Sequence, residues 1–61
     1  MVRYRVVADI DITGLDIEYE DIENAVKHYK KWLDDKEVLN VCIYKVIYEK
    51  GIEKSKEFIN L

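Results

Sequence analysis

The segment VCIYKVIY, Val41–Tyr48, decides how this chain folds. Its β-branched and aromatic residues mark it as a strand, yet neither of its faces is polar. The even positions carry Cys42, Tyr44, Val46 and Tyr48. The odd positions carry Val41, Ile43 and Ile47 behind Leu39, interrupted only by Lys45. A small two-layer domain covers one face of a sheet, so the second face of this strand needs a cover of another kind.

Upstream, VRYRVVADIDIT (residues 2–13) alternates with a period of two, which predicts a strand. Tyr4, Val6, Ala8, Ile10 and Ile12 share one face. Arg3, Arg5, Asp9 and Asp11 share the other with Val7. In TGLDIEYED the glycine permits a turn, and Leu15, Ile17 and Tyr19 alternate with Asp16, Glu18 and Glu20, as in a short second strand or an extended lead into a helix. The short length and the acids, which suit a helix N-terminus, favour the lead. From about Glu20 the period becomes three and four, with Ile22, Ala25, Val26, Tyr29 and Leu33 in one stripe and Trp32 beside it. Acids at the start and lysines later complement the helix dipole as far as Asp35 or Lys36. After the central strand, Glu49-Lys50-Gly51 reads as a tight turn; residues 52–61 fit a returning strand or a helix with Ile52, Lys56 and Ile59 in a weaker stripe, and the glycine-centred turn favours the strand. The expected fold is α+β: a single domain, residues 1–61, built β-α-β-β as one helix on a three-stranded, mainly antiparallel sheet.

With 61 residues the core is small, since a chain of this size buries only about 60% of its unfolded surface. The usual remedies are disulfides, metals or partners. Cys42 is the only cysteine and no CxxC or Cys/His cluster offers zinc, so association is the remedy left. Lys45 argues that the odd face points away from the helix, because an unpaired buried ammonium is costly. The expected oligomer interface is therefore Val7, Val41, Ile43 and Ile47, covered in a C2 homodimer; the alternative is that the final segment folds over the patch and leaves a monomer. At roughly 1.5–3 kcal/mol per covered side chain, such an interface rivals the stability of a small domain.

Chemical signals are sparse. His28 has no evident nucleophile beside it, and Cys42 lies in an apolar strand that suits inert packing. No nucleophile–base set, phosphate loop or metal cluster is visible. An enzyme is not expected, and no catalytic, cofactor or metal residues are assigned. Asp16, Glu18, Glu20, Asp21 and Glu23 form an acidic run that could present negative charge to a partner. Trp32 flanks the helix stripe, and tryptophan is enriched where binding energy concentrates. These six residues are the partner-binding candidates.

A net charge of −3 and a pI near 5.0 set nucleic acid low among the partners. In size and composition the chain is similar to the small acidic proteins of bacteriophages and other mobile elements, which bind and disable host enzymes or defence complexes. No diagnostic motif carries that similarity. The expectation is a non-enzymatic protein-binding module, an inhibitor acting as a homodimer on an unidentified host protein. With no leader and no apolar run long enough for a membrane, its expected place is the cytoplasm, that of the host cell if phage-encoded. The alternatives are an oligomer that binds a small ligand or nucleotide, and a nucleic-acid-binding dimer using Arg3, Arg5 and the helix lysines Lys27, Lys30 and Lys31.

Overall fold

In the computed structural model, which describes residues 1–61, the alternating run at the start of the chain becomes two strands rather than one. The elements are β1 (Val2–Ile10), β2 (Thr13–Tyr19), α1 (Ile22–Leu33), β3 (Asn40–Glu49) and β4 (Ile52–Phe58). All four strands pair antiparallel in the order β2-β1-β3-β4. The α+β class and the single helix agree with the sequence reading, whereas the three-stranded sheet is corrected to four.

The correction has a local cause. The first turn lies at Asp11-Ile12, inside an unbroken alternation, and contains neither glycine nor proline. Asp11 takes φ 55°, a conformation its short polar side chain tolerates, and the Thr13 hydroxyl donates to the Ile10 carbonyl at 2.8 Å. Gly14, which suggested the turn, falls within β2. Of the two readings of this segment, the favoured lead into the helix is corrected and the short second strand holds, as an edge strand of the sheet. The second turn follows expectation: Lys50 (φ 54°) and Gly51 (φ 77°) both have positive φ, the type I′ geometry that suits a two-residue hairpin.

Helix α1 starts where Asp21 accepts a hydrogen bond from the Asn24 N–H at 3.1 Å, an N-cap. It ends at Asp34, and the Asp35 N–H bonds the Trp32 carbonyl. The helix rests on β2, β1 and β3 and does not reach β4. Beneath it Val6, Ala25 and Ile43 form the buried core, ringed by Tyr4, Tyr19, Val26, Tyr29, Trp32, Val41 and Ile59. The register sets Val6 opposite Ile43 and Ala8 opposite Val41, so these odd residues of β3 face the helix.

That placement overturns the assignment of faces from Lys45. Ile43 is 1% exposed under the helix, and Val41 packs against the same core. Neither is available as an oligomer interface. Ile47 is on the same side, half-buried beyond the helix, and Val7 alone of the four stands on the opposite face. Lys45 is accommodated because it lies between Tyr4 and Glu57 in the register, where the uncovered flank toward β4 lets a long stem lead its ammonium to water.

Conservative trimming checks this packing. Ile43→Val should cost about 1 kcal/mol, the usual range for a buried isoleucine being roughly 0.5–1.5, while Ile47→Val should cost clearly less. Urea unfolding midpoints of the two variants measure the difference; equal costs would contradict the assignment of Ile43 to the core.

Candidate functional site

The sheet face away from the helix is the surface on which polar and aromatic groups converge. Arg3, Arg5, Val7 and Asp9 of β1 point there, as do Asp16 and Glu18 of β2 and Cys42, Tyr44, Val46 and Tyr48 of β3; Lys56 and Phe58 of β4 complete it. One residue from each strand, taken across the sheet, builds a continuous lattice: Glu18, Arg5, Tyr48 and Glu53. Arg5 donates from Nε (2.9 Å) and Nη2 (2.6 Å) to Glu18 Oε2, and from Nη2 to Glu53 Oε1 (2.9 Å) and Tyr48 Oη (3.1 Å). The Tyr48 hydroxyl donates to the same Glu18 oxygen at 2.6 Å. A neighbouring pair, Arg3 and Glu20, approaches to 3.4 Å.

A bulge makes the fourth corner possible. Ile47 is paired with Ser55 but Tyr48 with Glu53, so Lys54 is an extra residue on β4. Without it, alternation would turn Glu53 toward the helix side. With it, Glu53 stands opposite Tyr48 and reaches Arg5, a re-aiming typical of bulges.

The lattice answers the question posed by Val41–Tyr48. Val46 lies on this outer face between Tyr44 and Tyr48, flanked in register by Arg3 and Lys56, yet it is fully buried. Its neighbours on that face are the long side chains of Arg3, Lys56, Tyr44 and Tyr48. Long polar side chains, apolar along their stems and joined at their tips, roof this part of the face. Past the roof the surface changes character. Val7 and Cys42 are opposite one another and half-buried; Tyr44 meets Phe58 edge to face at 5.4 Å, and Lys56 Nζ lies 5.0 Å from the Tyr44 ring centre. Phe58 stands 61% exposed.

Electrostatics lock the lattice in one protonation state. The Tyr48 hydrogen bond, assisted by Arg5 and opposed by burial, holds the Glu18 carboxyl below its ordinary value. Its bond to Glu18 pushes the Tyr48 hydroxyl up, since ionisation would forfeit that bond. Glu18 likewise raises the Arg5 guanidinium, with Glu53 and Tyr48 adding to the effect. Each group is moved away from neutrality, the reverse of what proton transfer at neutral pH requires.

The six partner-binding candidates are scattered rather than gathered. Trp32 is half-buried, packs on the core and stacks tilted against His28 at 4.0 Å between ring centres. His28 in turn is hydrogen-bonded to the Tyr19 hydroxyl, and its pKa is lowered by burial and then by Lys31. Glu18 and Glu20 engage Arg5 and Arg3, and Asp21 caps the helix. Asp16 is exposed opposite Val7, and Glu23 is exposed in the first helical turn. No group of three or more His, Cys, Asp or Glu side chains is arranged to hold a metal, and no helix is long and apolar enough to cross a membrane.

The lattice was missed in the sequence, although a signal was there. Arg3 and Arg5 mirror Glu20 and Glu18 about the Asp11-Ile12 turn, so folding the chain there pairs the charges. Glu53 left no such mark, because its position depends on the bulge. No family model, curated protein or solved structure matches the chain.

The lattice carries a pH dependence of definite sign. Glu18 has a folded value below its unfolded one, so its contribution to stability is complete above the ordinary value near 4.5 and disappears as pH falls through the lowered value. Acid unfolding followed by circular dichroism should therefore be shallower in Glu18→Gln than in the native chain. Tyr48→Phe should raise the Glu18 pKa toward its ordinary value in a carboxyl NMR titration. A pKa unmoved by that change would remove Tyr48 from the lattice.

Proposed function

We propose that this chain is a non-enzymatic protein-binding module acting as a homodimer, with the open sheet face as its self-association surface. The observation that carries this reading is the flat, under-buried shape of the molecule. Only 5 of 61 residues are buried, and the chain measures 37 × 24 × 16 Å. Its surface is 4678 Å², against roughly 4,200 Å² for a compact monomer of 7.3 kDa. The radius of gyration, 11.8 Å, likewise exceeds the roughly 10.5 Å of a compact chain of this length. Exposed large apolar residues such as Phe58, 61% exposed, mark association sites where they cluster.

Val7, Cys42, Tyr44 and Phe58 form the apolar part of the open face, and a two-fold axis through that patch brings each phenylalanine onto the other copy. The interface thereby shifts from the odd to the even residues of β3, retaining Val7. The partner of the assembled dimer is a host protein, as for the small acidic proteins of phages and mobile elements that the chain is similar to in size and composition. A shallow open face, with no acid–base pair poised near neutrality, supports binding over catalysis.

One observation favours a nucleic-acid platform: Tyr44 and Phe58 beside Lys56 resemble a base-stacking surface. Against it, Asp9, Asp16, Glu18 and Glu53 occupy the same face and repel phosphates. Arg3 and Arg5 are engaged by carboxylates on the side opposite the helix lysines, so the two basic clusters cannot join.

Sedimentation at NMR concentrations should report a dimer for the native chain and a monomer for Phe58→Asp with an unchanged far-UV spectrum. A native monomer under those conditions would sink the self-association reading.

A further inference from the structure

The β1–β2 turn and the connection from α1 to β3 meet at one end of the sheet. Asp9 is paired with Asn40, and the Leu39 N–H bonds the Asp9 carbonyl at 2.8 Å. That end bears an anomaly. Ile12 occupies a two-residue turn and is 94% exposed, although turns favour Gly, Asn and Asp and a β-branched side chain contributes nothing there. Local rules broken without a structural return are expected where function resides.

Ile12 is not alone. Leu39 (72% exposed), Leu33 at the helix terminus (55%) and Leu15 near the turn (45%) are exposed at the same end. Around them stand Asp9, Asp11, Asp34, Asp35 and Glu37, with Lys36 the only cation in the two connections. None of these carboxylates forms a salt bridge within the chain; Asp35 only accepts the Glu37 N–H.

We propose that this acid-rimmed aliphatic end is a docking surface for a basic amphipathic helix of a partner protein. The chemistry selects the occupant. The ends of strands offer no unpaired ladder, so the partner contributes side chains rather than an added strand. Its apolar stripe covers Ile12 and Leu39, and flanking Lys or Arg residues meet the carboxylates. A second copy of this chain would set the same carboxylates against each other, and anionic membrane surfaces and nucleic acids are repelled for the same reason. The inference rests on reading the chain as a protein-binding module, but on a surface separate from Phe58.

The test is NMR titration of the isotope-labelled full chain with a Leu/Lys amphipathic helical peptide, and with its Leu/Glu counterpart. Shifts should concentrate in residues 11–15 and 33–39 with the basic peptide only, and binding should weaken as salt rises. The double variant Ile12→Ser/Leu39→Ser, altered only at exposed positions, should bind at least about tenfold more weakly, equivalent to about 1.4 kcal/mol. Phe58→Asp should bind as the native chain does, which separates this proposal from dimerisation. No binding, shifts on the open sheet face, equal binding of the acidic peptide or full affinity in the double variant would each overturn it. Concentration-dependent shifts at this end without peptide would assign the surface to a second copy instead.

Discussion

One helix can shield one side of a sheet, and much in this chain follows from how the other side is kept from water. Val46 lies on that other side and is as buried as the core beneath the helix. Its neighbours there are Arg3, Lys56, Tyr44 and Tyr48, and Tyr48 belongs to a hydrogen-bonded lattice whose members come from all four strands. Exposed ion pairs usually contribute little to stability. Here the Arg5 side chain is 20% exposed, and a single carboxylate oxygen receives three donors. Side chains of this kind are apolar along their stems, which suits them to shield a buried neighbour such as Val46 while their tips pair.

The roof is partial, and its limit divides the outer face. Over Val46 the surface is polar and internally satisfied. Toward Phe58 it is aromatic and open. Charge is divided as well: both arginines are neutralised on the outer face, while the loop carboxylates at the far end of the sheet have no cationic partner. A chain of this size thus keeps its internally paired charges and its outward-facing charge in separate places.

Much of the architecture was legible in the sequence. The switch of period from two to near four located the helix, its acidic start supplied the N-cap, and Gly51 marked the second hairpin. Three features were not legible. The first turn was hidden because Asp11 supplies the positive φ that a glycine usually provides, and Ile12 continues the alternation through it. The faces of β3 were exchanged because Lys45 was weighed as if the helix covered the whole sheet, whereas the flank over β4 is open. The lattice was half written in the mirrored Arg and Glu pairs; its last member depends on Lys54, an extra residue whose effect exists only once β4 is paired.

The strand order has a kinetic consequence. Each half of the sheet is a hairpin that closes locally, yet the central ladder joins segments far apart in the chain; Arg5 and Tyr48, for example, are 43 residues apart. Local hairpins form in roughly 1–10 μs, whereas long-range ladders must first meet the entropy of closing the intervening loop. The two hairpins are therefore natural early structures, with the helix as the tether between them. Their union at β1–β3 is what brings Val6 against Ile43 beneath the helix and Arg5 against Tyr48 on the outer face.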